Sequence, residues 1–254
     1  MRSLIAAELL KLRSTRSAWI PLGAALAAAV LAVIADTSAA GHGGNPPLSP
    51  AMLPDLLRGS GGQLVNGAVL LAWIVLSAGE FRHRTSVTTF LAEPNRLRVV
   101  SAKLAAAALT GVALGLLAEA LSAATAAAVL SAHHVPLAWG QPGVLGAVVA
   151  VPLLATAYGV LGASLGLLLR NTAAAVGLAL MWAFVIEGIL PALIHEPGIN
   201  RWLPEAAANA VLHGASPAAL PVGVALTVLA GYAAVLAGAG AALTARREIP
   251  TTMG

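Results

Sequence analysis

Runs of apolar residues, several reaching the roughly 18 that a helix needs to cross a bilayer, take up most of this chain of 254 residues. They restrict the fold more than any motif does. Only 9% of residues are charged against 59% hydrophobic, whereas about a quarter of a soluble chain is normally charged. Inside hydrocarbon each backbone N–H and C=O must be satisfied within the spanning structure, so long unbroken apolar runs are read as helices. The sequence predicts a single all-α domain over 1–254, a polytopic integral membrane protein. Its six spans fall at about 18–35, 64–79, 104–132, 144–169, 173–194 and 218–243.

The bases say which way the chain threads. With the N-terminus inside, the segments 1–17, 80–103, 170–172 and 244–254 are internal and carry twelve of the fourteen Lys and Arg residues. Only Arg58 and Arg201 remain for the outer loops. That alternation in phase with six spans predicts cytoplasmic N- and C-termini. It also assigns the net charge of +4 to membrane topology rather than to nucleic acid. In residues 1–17, Ile5, Leu9 and Leu12 share one face, with Arg2, Glu8, Lys11 and Thr15 largely on the other. This predicts an amphipathic helix lying in the cytoplasmic headgroup layer. A cleaved leader ending before Asp36 is the rival reading. Against it stand the long charged region, the acid within it and an apolar stretch beyond the usual length. Residues 36–63 are a Gly/Pro-rich loop with one short helical turn near Met52–Leu57, and 195–217 form a longer outer loop.

Candidate chemistry is sparse. With no cysteine, disulfides and thiolate catalysis are excluded. Gly162-Ala-Ser-Leu-Gly166 matches the G-x-S-x-G nucleophile pattern, but it lies in an apolar helical run with no histidine in the core of any span to serve as base. His133-His134 has no nearby carboxylate and makes a poor metal site, so no metal or cofactor is expected on this chain. Glu119 and Glu187 each fall inside a span. An acid there costs roughly 2.5–3.5 kcal/mol on insertion scales and faces the bundle interior or a cavity. Two readings follow: proton or cation carriers, or polar groups bonded within the bundle or lining a path without titrating, which we favour. Gly111 and Gly115, then Gly159, Gly162 and Gly166, then Gly231, Gly238 and Gly240 recur at spacings that bring membrane helices close; an Ala/Gly-rich composition alone also yields such spacings.

The longest internal segment, Glu80 to Lys103, breaks the apolar pattern most strongly. Glu80, Arg82, His83 and Arg84 crowd the exit of the second span. Thr85 or Ser86 can cap a short helix with Val87, Phe90 and Leu91 on one face. Pro94 ends it, and Asn95 offers a cap for a new helix through Arg96, Arg98 and Lys103 into the third span. The residues alone allow two uses: a crosswise helix that takes movement from a partner, or a charged hairpin on anionic lipid headgroups. The chain carries no G-x-x-x-x-G-K-[ST], since Lys11 follows Leu10 and Lys103 follows Ala102, so any nucleotide that drives it is bound elsewhere.

Two passages, AELLKLRSTRSAW at Ala7–Trp19 and GEFRHRTSVTTFLAEPNRLRVVSAK at Gly79–Lys103, in the setting of six spans, resemble the ABC type-2 permease family. These are the membrane subunits of ATP-binding-cassette exporters, and the likeness is to small Ala-rich actinobacterial members. The chain departs from the family in having Phe81 and Arg84 where Tyr and Gly are frequent. The resemblance implies an amphipathic connecting helix at the N-terminus and a coupling helix in the first internal loop, docked on a separate ATPase. It puts Glu80, Arg82, Thr85, Thr88 and Thr89 at or near that contact, with Glu93, Pro94 and Arg96 shaping the turn, and an outer segment at 195–217 folded back as a gate. It further implies two ATPase copies that hold ATP and magnesium, a second copy or related permease, and a bacterial cytoplasmic membrane. Alternating access would then export an amphiphilic or hydrophobic substrate such as a drug, lipid or peptide. A proton-coupled transporter using Glu119 is the alternative, and an intramembrane enzyme a distant third.

Overall fold

In the computed structural model, residues 1–82, 89, 91–193, 197–214 and 219–246 are described, and all regular structure among them is helical. Among these residues six helices are long and apolar enough to cross a membrane, as in a multi-pass membrane protein. A short N-terminal helix α1 (Arg2–Ser14) leads into α2 (Arg16–Ala39). A 3₁₀ turn at Pro50–Met52 and α3 (Leu53–Arg58) precede α4 (Ser60–Arg82). Helices α5 (Arg96–Ala132) and α6 (Val144–Leu169) follow. The fifth crossing comprises α7 (Thr172–Met181), a π-helical turn at Trp182–Ile186, and α8 (Glu187–Leu193). A single turn, α9 (Pro197–Asn200), and α10 (Pro204–His213) lead to α11 (Val222–Arg246).

The six long apolar helices among the described residues match the expected number of spans, and local chemistry marks their ends. Helix α2 runs past Asp36, beyond the expected limit at 35; there Thr37 is buried and its hydroxyl donates to the Val33 carbonyl at 2.8 Å. The Asn95 side chain accepts from the Arg98 N–H at 3.1 Å, the cap anticipated after Pro94. Helix α5 then continues for 37 residues, about 55 Å at 1.5 Å per residue, and so projects beyond a core of roughly 30 Å. The anticipated turn near Met52–Leu57 is α3, whose Leu53, Leu56 and Leu57 pack with Val33, Leu130 and Val144. The stretch 195–217 is more than loop: α10 buries Ala207, Ala208, Val211 and Leu212 against α6 and α11. The fifth crossing is interrupted by the π turn, where an unbroken helix was expected.

Helix α6 is the central post, packed against α4, α5 and α11. Glycine permits the two closest crossings. A Cβ on Gly115 would stand 2.5 Å from the Pro152 Cα, and one on Gly111 would collide with the Ala155 carbonyl. On the other side of α6, Gly166 would meet the Ser77 Cβ at 2.7 Å and Gly162 the Leu70 backbone. Lipid tails supply no hydrophobic drive between helices, so this backbone approach provides the van der Waals contact that holds them. Gly231 and Gly238 do not belong to such contacts; nothing lies within 4 Å of a Cβ on either. The outer face of the bundle is apolar: Phe184 is 74% and Val235 70% exposed. In water such a surface would aggregate; in a bilayer it meets lipid.

Candidate functional site

Polar side chains gather at two places. The first lies at the end of the bundle where α1, the end of α4 and the start of α5 converge. Lys103 Nζ donates to Glu8 Oε2 at 2.6 Å and to Glu80 Oε1 at 2.7 Å. Lys11 Nζ donates to Glu8 Oε1 at 2.6 Å and to Glu80 Oε1 at 2.8 Å. Two acids and two bases thus close a neutral ring, and it uses both lysines of the chain. The Lys103 side chain is 1% exposed, and Glu8 and Glu80 are also buried. Buried charges survive only when paired and hydrogen-bonded, and each here has two partners. Burial pulls the Lys11 pKa down. The charge of Glu80 and the bonds from Glu8 and Glu80 outweigh it, and the ammonium is held above its ordinary value of 10.5.

This ring rearranges the expected faces. Glu8 points inward with Leu12, while Leu9 stands on the more exposed side of α1. The reason is electrostatic: Lys103 on α5 gives Glu8 a buried partner, which outweighs the apolar pattern of a 13-residue helix. Glu80, expected at or near a partner contact, places its Oε1 inside the ring. Arg82 is exposed, as are Leu91 (78%) and Leu97 (57%). Thr89 is helical and, with Leu4, Ala7 and Ala92, borders a groove of about 230 Å³ beside the ring. Thr85 and Thr88 lie outside the described residues. Glu93 Oε1 accepts from the Asn95 N–H at 3.2 Å, and Oε2 lies 3.6 Å from Arg98, so Glu93 shapes the turn around the exposed Pro94. Arg96 donates to the Thr244 carbonyl at 3.1 Å, tying the start of α5 to the end of α11. Across the same end, the Arg170 guanidinium stacks 4.7 Å from the Phe81 ring centroid.

The second place is a half-open cleft on the side of the bundle, where Val235, 70% exposed, joins the lining. A cavity of about 400 Å³ lies among α4, α6, the fifth crossing and α11. Leu70, Leu161, Leu178 and Leu236 form apolar walls, and Tyr158, Trp182 and Tyr232 add aromatic ones. Tyr158 is fourteen residues into α6, about 21 Å along it, so the cavity sits near mid-depth. The N-terminal turn of α10 closes one side with Pro204 and Glu205. Glu187, singled out from the sequence, takes a 2.6 Å bond from Trp182 Nε1 and another from the Glu205 backbone N–H. Glu205 in turn accepts from the Tyr158 hydroxyl at 2.9 Å and from the Gln63 amide at 3.2 Å. Gln63 also donates to Asn209 Oδ1 at 2.5 Å, which fastens α10 to α4.

Glu119 joins neither cluster. It is 4% exposed on α5, and among the described residues neither carboxylate oxygen has a hydrogen-bond partner. Ser164, the centre of the G-x-S-x-G match, donates to the Val160 carbonyl of its own helix at 2.7 Å, the bond of a helical serine rather than an activated nucleophile. Sequence reasoning overlooked Glu8, Gln63, Tyr158, Glu205 and Asn209. The shortage of lysine was the available signal for the ring; the α10 contacts had none, since they join residues 18 to 146 positions apart. No protein-family model matches the chain, and no curated protein matches it.

Proposed function

We propose that the chain is the membrane-spanning permease of an ATP-binding-cassette exporter, carrying an amphiphilic or hydrophobic substrate across a bacterial cytoplasmic membrane by alternating access. Two ATPase chains with ATP and magnesium would drive it, and a second copy or related permease would complete it. The termini and α1 would lie on the cytoplasmic side, α1 in the headgroup layer, with α10 facing outward. The carrying observation is the ring of Glu8, Lys11, Glu80 and Lys103. It binds three helices across both flanks of the elbow, so that a push on the elbow moves α1, α4 and α5 together. Exposed Arg82 and Leu91 beside it supply a surface to push on, and the absence of a P-loop calls for a separate motor. The mid-depth cavity supplies a place for substrate. Charge reversal at Arg82, or Thr88→Pro, is expected to abolish export and ATPase association while membrane insertion stays intact. Normal export from both variants would overturn the reading.

A second reading rests on Glu119. A buried carboxyl with no hydrogen-bond partner for either oxygen among the described residues marks a functional site within the membrane, and a proton-coupled transporter would need one that takes and releases a proton. Transport driven by a pH gradient in vesicles, lost in Glu119→Gln, would establish this reading; unchanged transport in that variant removes it.

A further inference from the structure

The two polar clusters differ in how their acids are matched. In the ring each carboxylate meets two ammonium groups. At the cavity, the hydrogen-bond partners of Glu187 and Glu205 among the described residues are neutral: an indole N–H, a backbone N–H, a phenol and an amide. None of the described residues lining the cavity is basic. The N-terminus of α10 contributes about half a positive charge beside Glu187. Against two carboxylates that is too little, and even with one of them protonated about half a negative charge is left. The remaining field falls on an apolar space with aromatic walls at Tyr158, Trp182 and Tyr232, the surfaces on which an organic cation rests best. Its volume of about 400 Å³ is within the range of about 300–1,000 Å³ typical of small-molecule sites.

We infer that this cavity binds lipophilic cations: molecules with an apolar or aromatic body and a permanently charged or protonated nitrogen or phosphorus centre. The cationic centre sits by Glu187 and Glu205, and the body lies along Leu70, Leu161 and Leu178. That such a molecule is also cargo rests on the exporter reading; that it binds does not.

Tetraphenylphosphonium and tetraphenylborate have nearly the same shape and opposite charge. Each is titrated separately into the full chain in nanodiscs without any ATPase, following tryptophan fluorescence and subtracting empty nanodiscs. The phosphonium is expected to bind saturably, at least tenfold more tightly than the borate. Glu187→Gln and Glu205→Gln should each weaken it about tenfold, whereas Glu119→Gln should leave it unchanged. Equal affinity for the two ions, or full affinity in both glutamine variants, overturns the inference. The comparison of ions needs only the wild-type protein, so a variant that fails to fold does not block the test. If the phosphonium binds but no ATPase associates, the exporter reading fails and the site stands; the converse result removes the site and leaves the exporter.

Discussion

Replacing Lys103 by methionine keeps most of the side-chain volume and deletes one charge from the buried ring. Lys103 Nζ touches Glu8 at 2.6 Å and Glu80 at 2.7 Å, from a side chain 1% exposed. Without it, two buried carboxylates share Lys11, whose side chain is 34% exposed and therefore partly screened. Breaking a buried ion pair from one side costs about 3–5 kcal/mol. The lower end, about 3 kcal/mol, applies here because Lys11 still serves both acids. On the scale of about 2–4 °C per kcal/mol for chains of this size, Lys103→Met should melt about 6–12 °C below wild type, measured by tryptophan fluorescence in detergent. Glu80→Gln on that background leaves Glu8 and Lys11 as a balanced pair, so the double variant should recover part of the loss. The coupling between the two sites should then be about 1–3 kcal/mol. A single variant melting within about 1 °C of wild type, or strictly additive effects, would refute the idea that the ring is a coupled buried unit.

Two other perturbations probe the packing. Gly115→Leu drives a side chain into the Pro152 Cα and should cost at least about 1–3 kcal/mol, whereas Gly231→Leu, with open space around it, should stay within about 0.5 kcal/mol; paired melting curves check this. Tyr158→Phe removes the 2.9 Å bond to Glu205 and should cost about 1 kcal/mol, seen as faster proteolysis near α10.

The spans were legible because a bilayer imposes a length of apolar residues that can be counted along the chain. The turn at Glu93–Asn95 was legible too, since its bonds join residues two or three positions apart. The ring was not, because Lys103 and Glu8 are 95 residues apart and no local pattern brings them together. Glu8 looked like a solvent-facing charge on an amphipathic helix, and only the packing of α1 on α5 turns it inward. The region 195–217 looked like loop because Pro204 and Glu205 are polar or helix-breaking by habit. In the fold, Pro204 is a helix start, and Glu205 becomes part of a cavity wall. Glu187 was rightly marked as an acid within a span; beside Trp182 of its own crossing, it takes the Glu205 backbone N–H from a stretch that composition alone reads as loop.

The central claim is that this chain takes work from a separate ATPase through the Glu80–Lys103 elbow. Its most direct test is transport in inside-out vesicles holding the chain together with a candidate soluble partner that carries G-x-x-x-x-G-K-[ST]. The account predicts uptake of a lipophilic cation that requires ATP, stops when the P-loop lysine of the partner is changed to alanine, and stops when Arg82 is changed to glutamate. Equal uptake without the partner, driven by an imposed pH gradient alone, would contradict it.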